Sequence, residues 1–202
     1  MISYAQDKED IILAEILKGV TNGFYIDVGA NSPDVLSVTK MFYEHGWWGI
    51  NIEPLPNKYN ELREKRDRDI NLNIGVSNTH SVLTMRVVPE FGSTFSEQVI
   101  ADQHYENYPT LQVETYTMAE ILEKYKPTDI HFCKIDVEGF EKQVLEGWDW
   151  NYRPWVFCIE STKPGTDIPC YEEWEYILLD HGYKLKQAHG INRFYIDSTR
   201  EW

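Results

Sequence analysis

Positive charge is scarce in this sequence: 19 Lys and Arg stand against 33 Asp and Glu, a formal net charge of −14 over 202 residues. A protein of that sign, with no Lys/Arg run, repels a phosphate backbone, which sets duplex-binding functions and nucleic-acid partners aside. Long apolar runs are missing too. The segment 155–159 is among the longest, far below the roughly 18 residues a membrane span needs. The opening stretch from Met1 to Asp7 has neither the basic nor the apolar region of a signal peptide. Cysteine is limited to Cys133, Cys158 and Cys170, an odd number without a C-x-x-C pair. That usage fits buried small hydrophobes in a reduced, cytoplasmic protein better than a disulfide scaffold or a zinc site.

What is abundant is core-forming material. Seven Trp, thirteen Tyr and eight Phe within a 42% hydrophobic composition can offset the entropy of ordering the chain. With no repeat, low-complexity tract or Pro/Gly/Ser linker, residues 1–202 read as one domain. The pattern predicts a helix over 7–18, a strand over 23–29, and a helix from Ser32-Pro33-Asp34 to residue 44 or 45. A strand over 48–53, a helix opened by Pro54 and Pro56, and a strand over 70–75 follow. This alternation argues for a parallel sheet with right-handed crossovers. The middle differs: alternating strands at 82–88 and 111–116, with polar loops at 91–94 and 103–108, read as an inserted cap. The α/β pattern resumes with a strand at 130–136, a helix at 140–146, a strand at 155–160 and a helix at 171–181. Segments 184–186 and 192–196 form a closing antiparallel pair. A mainly parallel α/β sheet with an antiparallel end is the expected fold.

In an open α/β sheet, ligands bind outside the carboxyl ends of the strands. Four predicted strands end in acids there: Asp27 with Gly29, then Glu53, Asp136 with Glu138, and Glu160. Such a convergence calls for a cation or a donor-rich ligand. The turn Asp27-Val28-Gly29-Ala30-Asn31 lacks G-x-G-x-x-G, so it builds no pyrophosphate turn. Glu53, at the end of the second strand, is placed to accept both hydroxyls of a ribose. A ribose and a free carboxylate without a phosphate suggest S-adenosylmethionine rather than NAD.

Three segments carry a family resemblance. They are Phe24-Tyr25-Ile26-Asp27-Val28-Gly29-Ala30-Asn31, Gly49-Ile50-Asn51-Ile52-Glu53-Pro54 and Lys134-Ile135-Asp136-Val137-Glu138-Gly139. Together they resemble the hallmark segments of FkbM-type methyltransferases, and Ser3-Tyr4-Ala5-Gln6, Glu9-Asp10 and Asn192-Arg193-Phe194-Tyr195 are similar to that family's two ends. The resemblance is thinnest between residues 89 and 111. It implies a Rossmann-like class I methyltransferase fold and an S-adenosylmethionine-dependent O-methyltransferase acting on a hydroxyl of a sugar, glycan or related metabolite. Carried over, Asp27, Gly29 and Asn31 would line the methionine end of the cofactor, Glu53 its ribose, and Asn73 and Ile74 its adenine. Tyr4, Gln6 and Asp10 would close over it, and Ser37 would sit one turn into the following helix. Asp136 and Glu138 match the acidic segment at the reaction centre.

Methyl transfer to an alcohol needs in-line alignment and removal of a proton. Either a base takes that proton or a divalent metal lowers the hydroxyl's pKa. Asp136, Glu160 and Asn192 would suit Mg²⁺, while His189 and Lys134 are further candidates for the base. Two other readings remain open: a non-catalytic nucleotide- or glycan-binding module, and an NAD-linked oxidoreductase that would lack the phosphate glycines. A homodimer is the expected oligomer on frequency alone, and the chain is compatible with being part of a larger multidomain protein.

Overall fold

The computed structural model describes residues 2–89 and 92–201. Met1, at the head of the stretch inspected for a leader, and Phe91, the first residue of the expected loop at 91–94, lie outside the described residues. Ten strands are assigned along the described chain: β1 (Phe24–Val28), β2 (Trp48–Ile52), β3 (Ile70–Leu72), β4 (Gly75–Val76), β5 (Ser81–Arg86), β6 (Thr110–Tyr116), β7 (Phe132–Ile135), β8 (Val156–Glu160), β9 (Tyr183–His189) and β10 (Asn192–Asp197). Seven form one sheet in the order β3-β2-β1-β7-β8-β10-β9. Pairing is parallel from β3 through β8, and β10 runs antiparallel to both β8 and β9. This is the mainly parallel α/β sheet with an antiparallel end that the sequence pattern predicts.

The central strands are apolar on both faces because helices cover both. In β1, Ile26 and Val28 pack with Ile50, Ile52, Ile135 and Ile159 on one side. Tyr25 packs with Phe132, Cys158 and Phe194 on the other. The strand order reverses beside β1, with β2 and β3 on one flank and β7 and β8 on the other. A crevice at the carboxyl ends follows from that reversal.

The expected helix from Ser32 is not there. Ser32 Oγ accepts the N–H groups of Asp34 and Val35 at 3.3 and 3.2 Å, but this closes only a turn. Leu36 then adopts a left-handed backbone (φ 55°), and helix α2 begins at Lys40 (Lys40–Glu44). The physical reason is Arg66, 3% exposed. Its guanidinium donates to the carbonyls of Pro33 and Thr39 and to Ser37 Oγ at 2.6, 3.4 and 3.1 Å, so the Pro33 carbonyl serves a side chain instead of a helical turn.

Elsewhere the boundaries tighten. Helix α1 is Glu9–Ile16, and α3 is Pro56–Lys65 with its proline in the first turn. The strand expected over 70–75 breaks at Asn73, whose Nδ2 donates to the carbonyls of Glu53 and Pro54, both at 2.9 Å. Its two halves join different sheets. The cap is therefore a three-stranded sheet, β4-β6-β5, with α4 (Glu97–Asp102) between β5 and β6 in the chain and its Ser96 N-cap accepting the Val99 N–H. The pattern reading missed α5 (Met118–Tyr125), although Thr117 and Glu120 form a reciprocal capping box there. Helix α6 is Glu141–Glu146. The helix expected over 171–181 is a 3₁₀ turn (Tyr171–Glu173) and then α7 (Glu175–Asp180), interrupted at Trp174. Among the described residues no helix is long and apolar enough to cross a membrane.

Candidate functional site

A cavity of about 460 Å³ opens at the carboxyl ends of β1, β2, β7 and β8. Its floor is the turn after β1. Gly29 has φ 81°, and a Cβ there would lie 1.9 Å from the Asp136 carbonyl oxygen, so only glycine lets the turn pass beside β7. The N–H groups of Gly29 and Ala30 both donate to the Ile52 carbonyl, at 3.0 and 3.1 Å. Asn31 follows in the left-handed region and lines the cavity.

Glu53 lies directly across this turn. It is 4% exposed; one carboxyl oxygen accepts the Asn31 N–H and the other the Leu55 N–H, each at 2.8 Å. Burial nevertheless dominates and pushes its pKa up to about 7, against the pull of those two N–H groups. Each oxygen keeps a lone pair for another donor, so the side chain is a preformed acceptor for a paired diol.

Lys134, on β7, points into the same cavity. Its Nζ lies 3.2 Å from Asp136 and 3.6 Å from Asp27 and donates to the Gly29 carbonyl at 3.1 Å. Burial alone would lower its pKa, but the two carboxylates outweigh it and the net direction is upward. Lys134 is thus a fixed cation that ties the β1 turn to Asp136, not a proton acceptor. Asp27 lies beneath the cavity and does not line it; it accepts the Thr39 hydroxyl at 3.1 Å.

The opposite end is acidic. Asp136, Glu138 and Glu160 all line it, and Glu141 stands behind, accepting the Val137 and Gly139 N–H groups at 3.1 and 3.3 Å. Those two bonds fold the segment after β7 into a tight turn in which Glu138 is left-handed (φ 55°). The cap braces it, because Thr94 Oγ1 donates to the Glu138 carbonyl at 2.7 Å. Burial first, then the negative charge of neighbouring acids, raises Glu138 to about 8. Burial also raises Glu141, to about 7, and pushes Glu160 well up. Glu160 is 5% exposed, and the negative charge of Asp136, Glu141 and Glu138 adds to the effect of burial. Its Oε2 has no hydrogen-bond partner.

Of the residues expected at the site, Gln6, Gly29, Asn31, Glu53, Ile74, Lys134, Asp136, Glu138, Glu160 and Asn192 come together around this cavity. Others do not. Tyr4 and Asp10 fold the N-terminal segment instead: Asp10 accepts the Ser3 hydroxyl at 2.6 Å and the Tyr4 and Ile11 N–H groups at 2.7 and 2.9 Å. Ser37 lies under Arg66, and Asn73 braces the Glu53 loop from outside. His189 is exposed on the edge strand β9 and is not among the residues lining the cavity, although its pairing partner Asn192 is. The expected Mg²⁺ site gains no support: among the described residues no group of three or more His, Cys, Asp or Glu is arranged to hold a metal. Asn192 donates its Nδ2 to Glu9 at 2.7 Å.

The FkbM methyltransferase domain model matches residues 27–185, which is most of the chain and spans the Gly29 turn, Glu53 and the acidic corner. The chain belongs to the FkbM methyltransferase family. That family is S-adenosylmethionine-dependent, which implies this cofactor, and the cavity fits it: a glycine-floored turn beside a buried diol acceptor. Among solved structures, the methyltransferase FkbM from Methylobacillus flagellatus KT aligns at 16% identity and TM-score 0.55, over 87% of this chain and 43% of that one. The FkbM chain described here thus spans under half the length of that structure. A precorrin-6y C5,15-methyltransferase from Geobacter metallireducens GS-15 is similar at 12% identity and TM-score 0.49, over 97% and 89% of the two chains. A TehB-like SAM-dependent methyltransferase from Corynebacterium glutamicum ATCC 13032 Kitasato is similar at 8% identity and TM-score 0.46, over 93% and 84%. No curated protein matches.

Three contributors to the FkbM cavity were not legible as such. Glu9 enters it from α1, and its carboxyl accepts both Asn192 Nδ2 and the Asp7 N–H. Arg66 shapes the wall that carries Val35 and Leu36. Glu141 folds the acidic turn. A buried Glu or Arg beside a motif was the signal available for each, but partners 183 and 33 residues away are set only by the fold.

Proposed function

We propose that this FkbM-family chain moves the methyl group of S-adenosylmethionine to a hydroxyl of a sugar, glycan or related metabolite. The observation that carries the reading is the division of one cavity into a diol-accepting end at Glu53 and an acidic end at Asp136, bridged by Lys134. The cofactor supplies a methyl group already activated on a sulfonium. Glu53 holds the ribose through its two carboxyl oxygens, while the Gly29–Asn31 turn and Gln6 line the methionine side. Ile74 packs against the adenine. At the other end Asp136 accepts the proton of the attacking hydroxyl, and Lys134 fixes that carboxylate in place by an ion pair in a site of low dielectric. Glu138 and Glu160 accept hydrogen bonds from the remaining hydroxyls of the acceptor.

Calorimetric titration with S-adenosylhomocysteine tests the cofactor half, and a folded protein that shows no binding refutes it. The acceptor half is tested by incubating the protein with methyl-labelled S-adenosylmethionine and a polysaccharide extract. Label released as an O-methyl sugar supports the reading; label on nitrogen or carbon overturns it. Asp136→Asn is expected to cut that turnover by about 10²–10⁴-fold while leaving the dissociation constant for S-adenosylhomocysteine within about twofold of wild type.

A further inference from the structure

The acidic end of the cavity gathers more carboxyl groups than a neutral polyol requires. Among the described residues lining the cavity, Lys134 alone is basic, and it is engaged by Asp27, Asp136 and the Gly29 carbonyl. Glu9 and Glu53 also line the cavity, but each of their oxygens already accepts one N–H, from Asn192, Asp7, Asn31 and Leu55. Glu160 is different. It is 95% buried by its 5% exposure, faces the cavity, and leaves Oε2 without a hydrogen-bond partner. Glu138 beside it has no side-chain donor among the described residues and feels the charges of Asp136 and Glu141. A buried carboxyl with an orphaned oxygen is costly in the empty protein, and a donor carrying positive charge, which favours its ionised form, removes that cost most completely.

We propose that the acceptor of this chain is anchored by a protonated amine, seated between the carboxyls of Glu160 and Glu138, beside Asp136. This rests on the methyltransferase reading above and narrows its acceptor to an amine-bearing sugar or polyol, methylated at a hydroxyl and held by its ammonium. An ammonium has three donors and no acceptor, which suits a corner lined by acids. The same arrangement rejects a phosphorylated or carboxylated acceptor, because an added anion there would meet only acids.

The test uses small probes on the protein saturated with S-adenosylhomocysteine. Glucosamine, glucose and N-acetylglucosamine are titrated in turn at low salt. Glucosamine is expected to bind at least about tenfold more tightly than the other two, with the advantage shrinking as salt rises. In Glu160→Gln the advantage is expected to fall to about threefold or less while S-adenosylhomocysteine still binds, which shows the variant is folded. Equal affinity for the three sugars, or no binding of glucosamine, overturns the proposal; so does an advantage that survives in Glu160→Gln. Failure of S-adenosylhomocysteine itself to bind would instead refute the cofactor reading, so the two failures are distinguishable.

Discussion

Protonation of Glu53 should control cofactor affinity near neutral pH. In the empty protein its pKa is raised to about 7 by burial, so about a tenth of it is ionised at pH 6 and about nine tenths at pH 8. Two ribose hydroxyls donating to this carboxyl favour the ionised form, so binding must first remove the proton at low pH. The dissociation constant for S-adenosylhomocysteine is then expected to weaken about tenfold between pH 8 and pH 6, worth about 1.4 kcal/mol. Calorimetry in two buffers of different ionisation enthalpy should show close to one proton released near pH 6. Glu53→Gln is expected to abolish this slope and to cost a further 1–3 kcal/mol of affinity, roughly, at pH 8. It also places an amide donor against the N–H of Asn31 or Leu55. A flat profile in the wild type, or an unchanged slope in the variant, would refute the ribose assignment.

Gly29→Ala places a Cβ 1.9 Å from the Asp136 carbonyl at φ 81°. It is expected to lower stability by more than about 1 kcal/mol in urea unfolding, with cofactor binding lost even in the folded fraction. Arg66→Ala leaves three buried acceptors without their donor, a loss of about 2–4 kcal/mol in the same assay; an effect below about 1 kcal/mol would mean that the 33–39 loop is held by something else. The empty protein should also be more stable in mild acid. Glu53, Glu138 and Glu141 have folded-state pKa values of about 7, 8 and 7, above their ordinary value of 4.5. Their contribution is therefore complete below about pH 4.5 and is lost as pH rises through about 7–8. The melting temperature of the empty protein is expected to fall across that window, and an unchanged or rising value between pH 5.5 and 8 contradicts the burial of these acids.

The sequence by itself determined the class of the fold and the composition of its binding edge. Apolar runs of strand length ending in Asp27, Glu53, Asp136 and Glu160 required a sheet buried on both faces, with those acids at its carboxyl edge. The 29-to-31 turn and Glu53 were readable because local backbone demands and neighbouring strand ends set their roles. Pairings that reach across the sequence were not readable. Ser32-Pro33-Asp34 has every local feature of a helix start, yet a buried arginine 33 residues from Pro33 takes that carbonyl and makes a turn instead. Asn73 looked like a strand residue until the Glu53 loop claimed its amide. His189 looked well placed because it precedes the final strand, but it ends the edge strand β9, whose residues after Tyr183 are all exposed. Asn192 was read as an oxygen ligand for a cation; that its Nδ2 is held by Glu9, 183 residues earlier, was not readable. Local sequence sets backbone preference and burial; which buried polar group meets which is decided only when the chain closes, because desolvation makes each such group take the partner that the tertiary fold supplies.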